Sequence, residues 1–125
     1  MSTRCNIKVV VDGDTVVWLY HHCDGYVEGV GRNLADFLRR VNEDRTVCPL
    51  YPEYLITNLI KEGVTWPDGT PDNSYEWTGG QQGDIEYLYT IEYKDNKEVT
   101  LSVEGIYNND DDGVLYHWEA KERTI

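Results

Sequence analysis

The chain has 125 residues, of which 40% are apolar and 27% charged, and it carries a formal net charge of −12. That length suits one domain with one core, and the composition excludes a disordered tail. No apolar run approaches the ~20 residues that a membrane span needs.

In chain order, residues 6–12 alternate as Ile7, Val9 and Val11 against Lys8 and Val10, which predicts a strand. Asp12 and Gly13 supply a turn, and residues 15–22 form the second strand of a hairpin. Val30, Leu34, Phe37, Leu38 and Val41 then recur on one face of an α-helix, with Arg32, Asp36, Arg39, Arg40 and Glu43 largely on the other. A second helix begins at Pro52 with Leu55, Ile56, Leu59 and Ile60 as its stripe, and Gly63 stops it.

Residues 64–83, rich in Pro, Gly, Asp and Asn, read as a long mobile loop. Trp66, Tyr75 and Trp77 within it are expected to pin it to the body. A long strand follows over residues 85–93. A turn over residues 94–97 leads into Val99, Leu101 and Val103, and a last strand covers residues 114–120. The order ββαα-loop-βββ predicts a single α+β domain over residues 1–125. Its expected form is one antiparallel sheet of about five strands with both helices on one face. The Tyr-rich strands suggest that the other face is partly open, since 10 Tyr and 4 Trp stand against one Phe and such rings suit half-exposed surfaces.

Charge narrows the partners. Residues 1–62 hold 9 acids and 7 bases, whereas residues 63–125 hold 14 acids and 4 bases. Phosphate backbones and anionic membrane surfaces repel such a chain, so neither nucleic acid nor membrane is an expected direct partner. A basic protein is a possible one, met by an acidic surface that imitates nucleic acid. The N-terminus shows no apolar stretch of the signal-peptide kind. Cys5, Cys23 and Cys48 cannot pair completely and read as reduced thiols in a cytoplasm.

Several chemistries fit poorly. On a strand, His21 and Cys23 share one face while His22 and Asp24 share the other, so a metal would need Cys5, Cys48 or His117 to complete its ligands. Residues 108–119 match part of a calcium-loop template, but extended flanks would put Glu119 about 20 Å from the turn. No metal or other cofactor is therefore expected. Gly29 and Gly31 open a helix without the third glycine of a dinucleotide fingerprint, which leaves exposed N–H groups for an anion, helped by Arg4 and Arg32. His22 and Asp24, two residues apart, make a base and its orienting partner, and Glu86 approaches if the first and third strands pair. No reaction class is selected by these groups, so an enzyme is not the expected reading.

The polar segment Tyr20-His21-His22-Cys23-Asp24-Gly25-Tyr26 resembles a family of small proteins found largely in phages, prophages and gut-bacterial genomes. The resemblance rests on Arg4, His22, Asp24, Gly25, Tyr26 and Gly29, and on the strand Gly83-Asp84-Ile85-Glu86-Tyr87-Leu88-Tyr89. It covers about residues 1–40 and 80–93. Val27 stands where that family has proline, and Cys23 where it often has tryptophan. The family has no established activity, and its phage context implies host takeover or counter-defence in the host cytoplasm.

The expected function is therefore non-enzymatic binding, as an inhibitor or sponge that takes a host defence protein or a small nucleotide ligand. Its expected site combines Arg4, His22, Asp24, Tyr26, Gly29, Gly31, Arg32, Trp77 and Glu86, with Tyr26 and Trp77 stacking on a planar group and the arginines meeting its charge. The alternatives are the acidic nucleic-acid mimic and an accessory domain. That domain would form a homo-oligomer through exposed rings at Tyr87, Tyr89, Tyr107, Tyr116 and Trp118.

Overall fold

A computed structural model describes residues 3–43, 52–66, 68–72, 74–95 and 97–119; Cys48, Pro67, Asn96 and Ala120, used in the sequence reading, lie outside them. Strands β1 (Cys5–Val11) and β2 (Asp14–His21) form the expected hairpin. Asp12 and Gly13 both take positive φ, 49° and 90°, which matches the right-handed twist of the two strands. One π-helical turn, Val27–Gly31, leads into α1 (Arg32–Glu43), and α2 spans Pro52–Glu62. Gly63 ends α2 at φ 63°, its N–H donating to the Leu59 carbonyl at 3.0 Å, as a left-handed cap should.

The sheet corrects the sequence expectation in two ways. It has six strands, not about five, because Glu76–Thr78 forms a short β3 that pairs antiparallel with β2. β4 (Tyr87–Lys94), β5 (Glu98–Gly105) and β6 (Gly113–Glu119) complete the order β3-β2-β1-β4-β5-β6. It is also mixed, because β1 and β4 are parallel. The cause lies in where the chain re-enters the sheet. Cys5, at the start of β1, pairs with His21 at the end of β2 and with Tyr87 at the start of β4. The chain thus leaves and returns at the same end, and a strand entering there beside β1 must run with it.

Both helices share one core with one face of this sheet. Leu34, Phe37, Leu38, Leu55 and Leu59 cluster with Ile7, Val9, Leu19, Tyr89, Ile91, Tyr93, Val99 and Leu101. At about 25 cal/mol per Å² of apolar surface, this burial is the main source of stability. Tyr89 and Tyr93 are fully buried here, and Tyr87, Tyr116 and Trp118 pack partly against the same core. Most of the rings expected on an open dimer face therefore point toward the helices, and only Tyr107 is fully exposed at 75%.

The opposite face carries half-exposed Lys8, Trp18, Tyr20, Thr90 and Thr100, with the Lys8 ammonium 5.7 Å from the Trp18 ring. Residues 64–83 are not one structureless loop. Val64 and Tyr75 are buried, the Tyr75 hydroxyl donates to Asn33 Oδ1 at 2.7 Å, and β3 joins the sheet. Buried Asn6 fixes the following segment: its Nδ2 donates to the Leu19 carbonyl and its Oδ1 accepts from the Gln82 N–H. Among the described residues, no helix is long and apolar enough to cross a membrane.

Candidate binding site

The connection from β2 to α1 is held from below at several points. Asp24 adopts φ 55°, a left-handed conformation that aspartate tolerates in turns and that Asp12 and Asp95 also take. Its carbonyl accepts from the Val30 N–H at 2.9 Å, and the Gly25 N–H donates to the Thr3 carbonyl at 2.9 Å. The buried Tyr89 hydroxyl donates to the Gly25 carbonyl at 2.7 Å. A Cβ on Gly25 would stand 2.9 Å from both the Cys5 Cβ and the Thr3 carbonyl oxygen. One on Gly29 would overlap the Asp24 carbonyl, and one on Gly31 would come within 3.1 Å of the Tyr89 ring. These three glycines are thus required by close packing rather than by positive φ.

The same bonds settle the fate of the expected anion nest. The Gly29 and Gly31 N–H groups donate to the Tyr26 carbonyl, Val30 to Asp24, and Arg32 to the carbonyls of Val27 and Gly29. The π turn has turned these donors inward, so they do not face a ligand. Arg4 is likewise committed, with Nη1 3.1 Å from Asp84. Arg32 is only loosely held, its Nε 4.0 Å from Asp36.

His22 and Asp24 do not form a base and orienter. His22 Nδ1 is 3.0 Å from the Tyr20 hydroxyl, while the Tyr26 hydroxyl donates to Asp24 Oδ1 at 3.2 Å. β2 ends at His21 and the chain turns at Asp24, so the alternation that would have aligned the two stops between them. Glu86 meets the first strand through its backbone, its N–H donating to the Arg4 carbonyl at 2.9 Å. Trp77 does not join Tyr26. It pairs opposite Leu19 on the outermost strand, 72% exposed, whereas Gly25 before Tyr26 is bonded to Tyr89 of β4, three inter-strand steps of ~4.8 Å from β3.

An open pocket of about 310 Å³ begins one residue after Tyr26 and is lined by Val27, Glu28, Gly31, Arg32, Ala35 and Leu115; of the expected site residues, Gly31 and Arg32 line it and Tyr26 and His22 do not. Gly31 and Arg32 were expected at a site; Val27, Glu28, Ala35 and Leu115 were not. Gly31 and Ala35 sit four residues apart, a spacing that brings small residues together on one helix face and was readable as a groove. Leu115 gave no such signal, because it is displaced by a β-bulge where the β5–β6 register shifts between Leu101 and Ser102.

Acidic groups surround Tyr26 and Tyr87. The negative charge of Asp24, together with its hydrogen bond, raises the Tyr26 phenol above its ordinary value. Partial burial, then the bond to Asp111, raises that of Tyr87, whose hydroxyl lies 3.3 Å from Asp111 Oδ2. Burial pushes the Cys5 thiol beneath this loop up to about 12. Asp72, from the segment after α2, completes the only grouping of this loop's residues able to hold a metal among those described. Cys23 Sγ and one carboxylate oxygen each of Asp24 and Asp72 lie within 4.8 Å of one another. The helper is Asp72 rather than Cys5 or His117.

Neither a family profile, a curated protein nor a solved structure matches this chain.

Proposed function

We propose that the protein is a non-enzymatic binding protein of phage or mobile-element kind that sequesters a small planar ligand of the nucleotide class in the host cytoplasm. The observation that carries this reading is the over-determined loop of residues 24–31. A surface connection needs only turn formers. Asp24 and the glycines are such turn formers, but Gly25 is also fitted closely against buried Cys5 and Gly31 against buried Tyr89, and 40%-exposed Tyr26 directly precedes Val27 of the pocket wall. A loop held in one shape by close packing and backbone hydrogen bonds binds a ligand without a further ordering cost.

The groups present also limit the ligand. The pocket is at the low end of the ~300–1,000 Å³ range of small-molecule sites, so it suits a nucleoside-sized group. Tyr26 offers a ring to stack on a base, and Arg32 offers one cation at the pocket wall. Glu28 opposes a second anionic charge, which favours a ligand carrying few phosphates. Calorimetric titration with a panel of cyclic and linear nucleotides tests this. Binding by the parent, weakened roughly 5- to 100-fold in Tyr26→Ala as expected for loss of one stacking ring, supports it. Absence of heat for every nucleotide ends it.

A second reading, the acidic inhibitor that imitates nucleic acid, is favoured by the charges of Asp24, Glu28 and Asp111 gathered around Tyr26 and Tyr87. Charge density counts against it. Glu98 and Glu104 on the open face of β5 are six steps, about 20 Å, apart, a distance over which one DNA strand carries about six phosphates. Capture of basic nucleic-acid enzymes from host lysate at low salt, lost at high salt, would favour this second reading.

A further inference from the structure

Away from the loop, the two outer strands assemble a second donor set. In the β5–β6 register, Glu98 stands directly opposite Glu119, and Thr100 opposite His117. Because side chains alternate along a strand, all four lie on the face of the sheet away from the helices. His117 Nε2 is 3.3 Å from Glu119 Oε1, and Nδ1 is 3.7 Å from Glu98 Oε1. One ligating atom from each of Glu98, His117 and Glu119 falls within 4.8 Å of the others. We propose that Glu98, His117 and Glu119 form a binding site for a divalent first-row transition-metal ion, of which Zn2+ is the representative.

Three features support the assignment. The first is distance. Zn2+ binds histidine nitrogen and carboxylate oxygen at about 2.0–2.2 Å, so donors around a tetrahedral ion stand about 3.4 Å apart. The His117 Nε2–Glu119 pair is already at that spacing, while Glu98 Oε1 now lies 3.7 Å from the other ring nitrogen, Nδ1, and joins the ion by rotation of its partly exposed side chain toward Nε2. The second is charge. Like-charged residues directly opposite on antiparallel strands repel, and an ion between Glu98 and Glu119 converts that repulsion into attraction. The third is orientation. Thr100 Oγ1 lies 2.9 Å from His117 Nδ1, which fixes the ring and leaves Nε2 as the nitrogen turned toward Glu119, the outer-sphere support that metal-bound histidines commonly have.

The donor types select the ion. One imidazole with two carboxylates suits Zn2+, Co2+ or Mn2+; it lacks the all-oxygen cage preferred by Ca2+ and the thiolates preferred by Cu+. Two strands supply the ligands, so the ion joins edge strand β6 to β5, with its remaining positions open to water.

The test is a Zn2+ titration of the full chain carrying Cys23→Ser, which removes the thiolate of the loop cluster, followed by calorimetry and by the His117 ring signals in NMR. The expected result is one reversible equivalent that shifts the His117 ring resonances and raises the melting temperature. Affinity should fall by at least about tenfold in Glu98→Gln and in His117→Ala, and by about tenfold in Thr100→Val. All three side chains are partly exposed, and Glu119→Gln, at the most exposed of them, gives a ligand loss that the fold tolerates. Unchanged affinity in His117→Ala and Glu119→Gln would overturn the site, as would the absence of binding at millimolar Zn2+.

Discussion

Replacing Gly25 by alanine should damage the fold because of what lies beneath it. The added methyl would stand 2.9 Å from the Cβ of Cys5 and from the Thr3 carbonyl oxygen, and 3.1 Å from the Cys5 sulfur. Carbon–carbon contacts are comfortable at ~3.5–4.0 Å, so the loop must lift by roughly 0.6–1 Å. Cys5 is fully buried in the sheet and cannot retreat. Lifting stretches the 2.9 Å bond from Gly25 to Thr3 and the 2.7 Å bond from Tyr89 to Gly25, and leaves a buried hydroxyl poorly paired. Overpacking at about 1–3 kcal/mol and a disturbed buried hydrogen bond at about 1–3 kcal/mol together give a loss of about 4 kcal/mol. For a chain of this size that lowers the melting temperature by roughly 10–15 °C.

Gly80→Ala is the matched control, since nothing lies within 4 Å of its added methyl and its backbone is not left-handed. It should change stability by less than about 1 kcal/mol. Thermal and urea denaturation followed by circular dichroism measure both. A Gly25→Ala protein melting within a few degrees of the parent would refute the packing argument for this loop.

The remaining predictions use the same assays. Tyr26→Ala should leave stability within about 1 kcal/mol, because the ring is 40% exposed, whereas a core tyrosine would cost about 3 kcal/mol or more. Tyr89→Phe deletes the donor to the Gly25 carbonyl and should cost about 1–2 kcal/mol by urea midpoint, with the sheet intact. Stability should also fall in alkali. The Cys5 thiol deprotonates near its ordinary value of 9.0 in the unfolded chain but only near 12 when buried, so the unfolded state loses its proton first. The contribution is complete below about pH 9 and is lost progressively as pH rises toward 12, with buried Tyr75 and Tyr89 adding in the same direction. Urea midpoints that stay flat from about pH 8 to about 11 would contradict this.

Periodicity made most of the elements legible, because each hairpin and helix is specified within its own segment. Ile7, Val9 and Val11 face the helices, and Leu34, Phe37 and Leu38 answer them, as their spacings require. Neighbours between distant segments were harder. β1 carries Val9, Val10 and Val11 in succession, and Val10 is nearly as buried as Val9, which is the pattern of a strand paired on both sides. That run hinted at a central position, but nothing local fixes whether β4 beside it is parallel. β3 was hidden by its surroundings: Tyr75, Trp77 and Thr78 have strand composition, yet prolines and glycines on either side made the segment read as loop.

At the site, Asp24, Tyr26, Gly29, Gly31 and Arg32 were readable from one stretch of chain, and of these Gly31 and Arg32 line the pocket. Arg4, His22, Trp77 and Glu86 were joined to them by assumption. Each instead meets a neighbour set by sheet geometry, as Arg4 meets Asp84, His22 meets Tyr20 and Trp77 stands opposite Leu19. Leu115 and Asp72 approach only through tertiary packing, which one segment of sequence does not encode.

The central claim is that a preorganised loop and its adjoining pocket take the ligand. The most direct measurement is an amide NMR titration of the full chain with the tightest-binding nucleotide from the panel. The account predicts shifts concentrated at residues 24–35 and at Leu115, with the slow-exchanging Val30 amide, bonded to the Asp24 carbonyl, protected before ligand is added. Shifts centred instead on Trp18, Thr90 and Thr100 of the open sheet face, or a Val30 amide that exchanges freely in the ligand-free protein, would contradict it.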